Sequence, residues 1–176
     1  MFGPINQKQR EMKTTIFRYA LRATGILIVL GLINWFVIAR PMGYRASEIV
    51  GYLSMVLALS MIYFAIRHFR IQYGNGSVSF GQGFRIGIFI TLITSALFFI
   101  YSSLYFLIWG DEFKEWADQH FQSSLSSEKY QEYVHQVEQM GALHNNVAFQ
   151  GLVMFLTVFF IGLIITLISA TVLKRG

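Results

Sequence analysis

Hydrophobic positions along this chain gather in four long runs, at residues 23–39, 49–66, 84–109 and 151–173. The third run is the most extended, because no charged residue occurs between positions 86 and 109. A helix that crosses the hydrocarbon of a bilayer needs about 20 apolar residues, and only helices and closed barrels satisfy their backbone in lipid. The runs lack the alternation of barrel strands, so the pattern predicts four transmembrane helices.

Turn and cap signals separate the first three runs. Proline and glycine within residues 40–43 predict a tight turn, and Ser47 is the predicted N-cap of the second helix. The Gly-Asn-Gly segment at residues 74–76 predicts a loop. Ser79 and Gln82 have the spacing of a capping box, which predicts the start of the third helix.

Residues 110–146 form a polar segment between the third and fourth runs. Side chains spaced by three and four residues align there in two sets, which predicts two short amphipathic helices. Ser126 or Ser127 is the predicted start of the second, and Gly141 is its predicted end. We expect a small extracytoplasmic helical insert on the bilayer surface or on the end of the bundle. The predicted fold class is therefore all-α, a single polytopic membrane domain over residues 1–176.

The composition agrees with immersion in lipid. Hydrophobic residues make up 55% of the chain and charged residues 13%, whereas soluble domains carry about 25% charged residues. The net charge of +5 could suggest nucleic acid. However, the basic residues sit at the ends of the apolar runs, so no nucleic-acid partner is expected. The chain has no cysteine, which excludes disulfides and thiolate metal sites.

The distribution of lysine and arginine predicts the orientation. With both termini and residues 67–85 on one side, that side holds ten of the fourteen basic residues, and the other side holds eight of the nine acids. Cytoplasmic loops are enriched in Lys and Arg. We therefore expect a multi-pass protein of the bacterial cytoplasmic (inner) membrane with both termini in the cytoplasm.

Small residues recur at helical spacing within the apolar runs. Gly83 and Gly87 form a G-x-x-x-G pattern in the third run, a spacing that lets two helices approach closely in a membrane. Gly51 in the second run and Gly162 in the fourth also lie on faces of small residues. These four glycines are the predicted helix-packing positions.

Several motifs resemble a known family. They are E-x-x-G-Y-x-S-M from Glu48, I-R-x-x-R from Ile66, S-F-G-x-x-F-R-x-G from Ser79 and G-L-I-x-x-L-I-S-A from Gly162. Together they resemble domain-of-unknown-function family number 4199, whose members are small bacterial four-helix integral membrane proteins. The resemblance covers nearly the whole chain, and the insert is its least distinctive part. It implies a four-helix membrane protein and supplies no catalytic residues.

Three polar residues are candidates for function, each with a simpler structural alternative. Glu48 could be a proton or cation site at the outer mouth, or it could stabilise a helix N-terminus. Arg85 could hold an anionic headgroup, or it could anchor the helix at the cytoplasmic surface. Asn34 could line a polar pathway, or it could bond a neighbouring helix. The structural alternative is favoured for all three.

Motifs for chemistry are lacking. No nucleophile elbow, zinc-protease motif or phosphate loop occurs, and the histidines at 120, 135 and 144 fit no ligand spacing. We therefore expect no cofactor, metal or catalytic activity.

The leading hypothesis is a structural protein or accessory subunit, with the lipid bilayer and either another membrane protein or a second copy as partners. The alternative is a small transporter or channel that acts as an oligomer. A third hypothesis is a membrane-embedded enzyme. It would need a clustered acid, histidine and serine on the outer face, and the sequence has no recognisable cluster of this kind.

Overall fold

Four long apolar helical segments dominate the computed structural model, which describes the backbone of residues 4–175 and the side chains of residues 7–175. Each is long and apolar enough to span a membrane, which confirms the predicted all-helical class with four spans. The segments are Gln7–Met42, Tyr44–Tyr73, Phe80–Ser124 and Val147–Leu173.

The first span is one continuous helical rod with a change of winding near its end. Helix α1 (Pro4–Ile33) continues as a π-helix at Asn34–Ala39 and as a last helical turn at Arg40–Met42. The predicted turn at residues 40–43 is thus confined to Gly43, whose φ of +82° reverses the chain. Such a backbone conformation is easily adopted only by glycine.

Helix α2 (Tyr44–Leu59) begins directly after this glycine. The prediction of Ser47 as its N-cap is therefore wrong, since the cap position is Gly43 and Ser47 lies inside the first turn. The Ser47 amide donates to the Gly43 carbonyl at 3.2 Å. The helix is interrupted at Ser60, and helix α3 (Met61–Tyr73) completes the second span.

The third span is the longest element of the described chain. Helix α4 (Phe80–Ser124) starts with the predicted capping box: the Ser79 hydroxyl accepts from the Gln82 amide, and the Gln82 side chain accepts from the Ser79 amide, both at 3.3 Å. Its 45 residues correspond to about 68 Å of helix, whereas the hydrocarbon of a bilayer is about 30 Å thick.

The first amphipathic helix predicted for residues 110–146 is therefore not a separate element. Gly110 is buried inside α4, and with no proline or cap after it the helix continues to Ser124. The second is helix α5 (Ser127–Met140), which follows the cap position Ser126 and ends before Gly141. We call residues 110–146 the arm. Helix α6 (Val147–Leu173) forms the fourth span.

The core lies where α4 packs antiparallel against α6, the most extensive helix pair in the described chain. Small residues meet along this seam. A Cβ atom on Gly87 would lie 2.5 Å from Thr166, one on Gly162 would lie 2.5 Å from Thr91, and one on Gly83 would lie 3.3 Å from Ala170. The glycines thus allow close backbone approach. Large apolar side chains from α2, α3 and α4 fill the neighbouring space: Leu59, Ile62, Ile66, Phe69, Ile86 and Ile90.

The bundle has two distinct ends. At one end, the amide and carbonyl groups of Val78 and Arg175 form an antiparallel bridge, and Arg70 donates to the Leu173 carbonyl at 3.3 Å. The start of α1, residues 74–79 and the C-terminal segment share this end, which we call the terminal end. The arm projects from the other end.

Candidate functional site

The arm joins the bundle where the first span changes to π-helical winding at Asn34–Ala39. A π-helical turn accommodates an extra residue, reorients side chains and often marks a functional site. Here it buries Trp35 and Ala39 and brings Asn34 to the junction between α1 and α2.

Asn34 ties the first span to the second. Its Nδ2 donates to the Ser47 carbonyl at 2.9 Å and lies 3.1 Å from the Ser47 hydroxyl. Gly51 faces the same amide, since a Cβ there would lie 3.7 Å from Nδ2. The Asn34 amide therefore fastens the first turn of α2 to the first span.

A cavity of about 180 Å³ opens beside Asn34, between the first span and α4. Asn34 Oδ1 and the Tyr105 hydroxyl are buried there, and neither has a hydrogen-bond partner among the described residues. Buried polar groups are normally bonded to protein or to ordered water, so these two atoms are the polar groups beside the cavity that remain available for a hydrogen bond. The remaining lining residues are Gly31, Trp35, Ser47, Phe98, Tyr101, Ser102, Phe106, Phe113 and Met154.

A second cavity of about 260 Å³ lies next to the first. The two share Ser47, Phe113 and Met154 as lining residues. Glu48 lines this second cavity, and its side chain is exposed. The pair of cavities forms the candidate site at the base of the arm.

Aromatic rings form the wall between this site and the arm. The Trp35 ring centroid lies 5.3 Å from that of Trp116 and 6.1 Å from that of Tyr105, both edge to face. Edge-to-face pairs contribute about 0.5–1.5 kcal/mol beyond burial. The Tyr44 and Phe121 centroids lie 4.6 Å apart. These contacts connect the arm to the first span and to the start of α2.

An ion pair lies on the outer side of the same wall. The Arg40 guanidinium donates to Glu112 at 2.5 Å, with about half of each side chain exposed, and it lies 5.6 Å from the Trp35 ring centroid. Exposed pairs of this kind contribute about 0–1 kcal/mol. The Arg40–Glu112 pair therefore contributes little to the stability of the fold, and its main effect is to orient the aromatic wall.

The three polar candidates from the sequence do not share one site. Asn34 and Glu48 lie in neighbouring cavities at the base of the arm, whereas Arg85 lies at the terminal end beside Lys8 and Ser79. Gly83, Gly87 and Gly162 lie in the α4–α6 seam, and Gly51 faces Asn34.

Sequence reasoning missed Tyr105, Ser102 and the Arg40–Glu112 pair. Tyr101, Ser102 and Tyr105 are spaced by three and four residues on α4, which is a readable signal for one polar helix face. The ion pair depends on the continuation of α4 past Gly110, which the sequence did not predict.

The chemistry available at the base of the arm is hydrogen bonding within an aromatic shell. Asn34 Oδ1 accepts, and the Tyr105 hydroxyl donates or accepts. Such a pair suits water or one neutral polar group. Within the described chain, no group of three His, Asp or Glu residues is placed to hold a metal ion.

The fold and this site define a class: a helical bundle with four candidate membrane spans and an arm at one end. A family model described as "Protein of unknown function (DUF4199)" matches residues 23–175. The chain belongs to this family, as the resemblance predicted. No curated protein and no solved structure matches the chain.

Proposed function

We propose that this chain is a non-catalytic accessory or structural subunit of the bacterial inner membrane, with both termini in the cytoplasm and the arm outside. The orientation follows from lysine and arginine counting, because the terminal end carries most of the basic residues and cytoplasmic ends are enriched in them. The bilayer contacts the exposed apolar side chains of all four spans.

The observation that carries the proposal is the construction of the arm. From Gly110 to Ser124, α4 continues for about 22 Å, and α5 packs back on it with none of its own residues buried. Their contacts are few: the Tyr130 hydroxyl donates to Asp118 at 3.1 Å, and the Phe121 and Tyr133 centroids lie 4.7 Å apart. A projecting helix pair whose second helix buries none of its own residues leaves its polar surface free for another protein.

The charge of the arm indicates the kind of partner. Residues 110–146 contain seven of the nine acids of the chain and two lysines. Glu128 and Glu132 lie one turn apart on α5, and both are exposed. Complementary charge steers association, so the partner is a membrane protein with a basic surface on the arm side. A second copy of this chain would present its own acidic arm on that side, so the charge favours a different protein as the partner.

Site-specific crosslinking tests the proposal. The chain has no cysteine, so Glu132→Cys carries a single photo-crosslinker on the arm, and Ile164→Cys, on a lipid-facing position 58% exposed, is the control. We expect one defined protein adduct from position 132 in cells and none from position 164. The same partner should copurify in mild detergent and be lost from the variant with Glu128→Lys and Glu132→Lys.

Two other outcomes are informative. An adduct of twice the mass of the chain identifies self-association. No defined adduct from position 132, together with copurification that the charge reversal leaves unchanged, contradicts an accessory role for the arm.

The alternative, an oligomeric transporter or channel, has less support. A polar pathway would connect Asn34, Glu48 and Thr91, but Thr91 is fully buried against Thr166 in the α4–α6 seam. Asn34 and Glu48 lie near one end of the bundle. A flux assay in liposomes with the purified protein tests this alternative, and we expect no flux above that of empty vesicles.

A further inference from the structure

A groove runs between the beginnings of α1 and α4 at the terminal end. It consists of two adjoining cavities of about 630 and 580 Å³, which share Gln9, Met12 and Arg85 as lining residues. Because α1 and α4 both enter the bundle from this end, higher residue numbers on either helix lie deeper. We call this space the basic groove.

Cations line the mouth of the basic groove. Lys8 and Arg85 line the outer cavity, and Lys13 and Arg85 line the inner one. No acid is among the lining residues, and within residues 7–175 none of the three cations forms an ion pair. The nearest acid along α1, Glu11, lies beside Tyr73 instead. The mouth is therefore electropositive and free to take an anion.

Apolar side chains line the deeper part. Ile16 and Phe17 on α1 face Phe89 and Ile93 on α4 across the inner cavity. From Arg85 to Ile93 the distance along the helix is about 12 Å. The groove is thus cationic at the membrane surface and apolar towards the hydrocarbon.

The first turn of α4 adds hydrogen-bond donors at the mouth. The capping box occupies the amides of Ser79 and Gln82. Gly81 lines the outer cavity, and a Cβ atom on it would meet nothing within 4 Å, so no side chain blocks the approach of a ligand to this turn. Free amides at a helix N-terminus favour phosphate groups.

We propose that the basic groove binds one anionic glycerophospholipid. Its phosphate lies among Lys8, Lys13 and Arg85, and one acyl chain lies along Phe17 and Phe89. The order of cationic and apolar side chains matches the order of headgroup and acyl chain in such a lipid. Zwitterionic lipids bind less well because their own cationic group opposes the three side-chain charges. This site is independent of the arm and of the partner proposed for it.

Lipid counting on the intact chain tests this assignment. The protein in mild nonionic detergent is titrated with phosphatidylglycerol or phosphatidylcholine, and bound lipid is counted by native mass spectrometry. The groove variant combines Lys8→Gln, Lys13→Gln and Arg85→Gln. The control variant removes equal charge from exposed positions of the same end, with Arg10→Gln, Arg67→Gln and Lys174→Gln.

We expect one tightly held phosphatidylglycerol per chain. The groove variant should bind it about a hundredfold more weakly, since each of the three nearby cations contributes roughly fivefold. The control variant should change affinity less than about twofold, because its cations are outside the groove and screened. Equal losses in the two variants would show diffuse attraction by the whole end and overturn the site. Equal binding of phosphatidylcholine would also overturn it.

The proposed contact with the acyl chain is tested separately, with variants that leave the charges unchanged. Phe89→Ser should weaken the binding of phosphatidylglycerol several-fold. Phe160→Ser, at a position 57% exposed on α6, should leave this binding unchanged. Inorganic phosphate at millimolar concentration should fail to displace the lipid. Displacement by phosphate, or insensitivity to Phe89→Ser, would show a simple anion site and overturn the lipid assignment.

Discussion

At the scale of single residues, the α4–α6 seam depends on a reciprocal arrangement of glycine and threonine. Gly87 accommodates Thr166, and Gly162 accommodates Thr91, so each helix offers a glycine to the threonine of the other. The two threonine hydroxyls then lie 3.3 Å apart in the buried centre of the seam. Close approach without large side chains is how helices associate when lipid removes the hydrophobic driving force.

Adding one methyl group at this seam should destabilise the bundle. A Cβ atom on Gly162 would lie 2.5 Å from Thr91 Cγ2 and 2.8 Å from Oγ1, so we expect Gly162→Ala to lower the free energy of unfolding by about 1–3 kcal/mol. Denaturant unfolding in mixed micelles measures the change. Gly25→Ala is the matched control, because a Cβ there meets nothing within 4 Å. Equal effects at the two positions would show that the seam is looser than described.

The threonine pair should show a small, measurable coupling. Thr91→Val and Thr166→Val each keep the shape and remove one hydroxyl, and the double variant removes the pair. Interhelical hydrogen bonds in membranes average about 0.6 kcal/mol in double-mutant cycles. We expect a coupling of about that size in the free energy of unfolding. Additive effects within error would mean that each hydroxyl bonds a carbonyl of its own helix instead.

At the scale of elements, the π-helix fastens the start of α2 to the first span. Gly43 makes the reversal possible but provides no side-chain cap. The change of winding at Asn34–Ala39 turns Asn34 towards Ser47, and its side-chain amide donates to the Ser47 carbonyl, which is a contact between helices and not a cap. The same change of winding buries Trp35 against the arm. One local irregularity thus organises both the second span and the arm.

Loss of the Asn34 amide should therefore loosen the start of α2. We expect Asn34→Ala to raise hydrogen–deuterium exchange of the amides in residues 44–51, because both bonds to Ser47 are lost, at about 1 kcal/mol each. Ser47→Ala is the graded control, since it keeps the carbonyl acceptor and should raise exchange less. The arm beyond position 124 should be unaffected in both variants. Equal exchange in Asn34→Ala and the unchanged chain would contradict this account.

The sequence predicted the features that depend on local rules. The capping box of Ser79 and Gln82 needs only three-residue spacing, and the four spans need only long uncharged runs. Gly110 shows where such rules fail. A glycine at a change of polarity predicts the end of a helix, whereas Gly110 is buried inside the continuous helix α4. The π-helix and the unpaired Tyr105 hydroxyl arise from contacts between distant segments, which no local pattern contains.

At the scale of the whole molecule, the two ends are chemically opposed. The terminal end holds the basic groove and most of the cations, and the arm end holds nearly all of the acids. Residue 174 and the first turns of α1 lie at this same terminal end of the bundle. The proposed orientation and the proposed lipid site both depend on this polarity.

Cysteine labelling in intact cells tests the polarity directly. The chain lacks cysteine, so Glu115→Cys and Lys174→Cys each introduce one exposed thiol, and the unchanged chain is the blank. We expect a membrane-impermeant maleimide to label position 115 in intact spheroplasts and position 174 only after permeabilisation, because positive ends stay in the cytoplasm. The reverse pattern would invert the orientation while keeping four crossings. Labelling of both positions from the same side would contradict the four-span arrangement itself, since α6, which lies between the two positions, then could not carry the chain across the membrane.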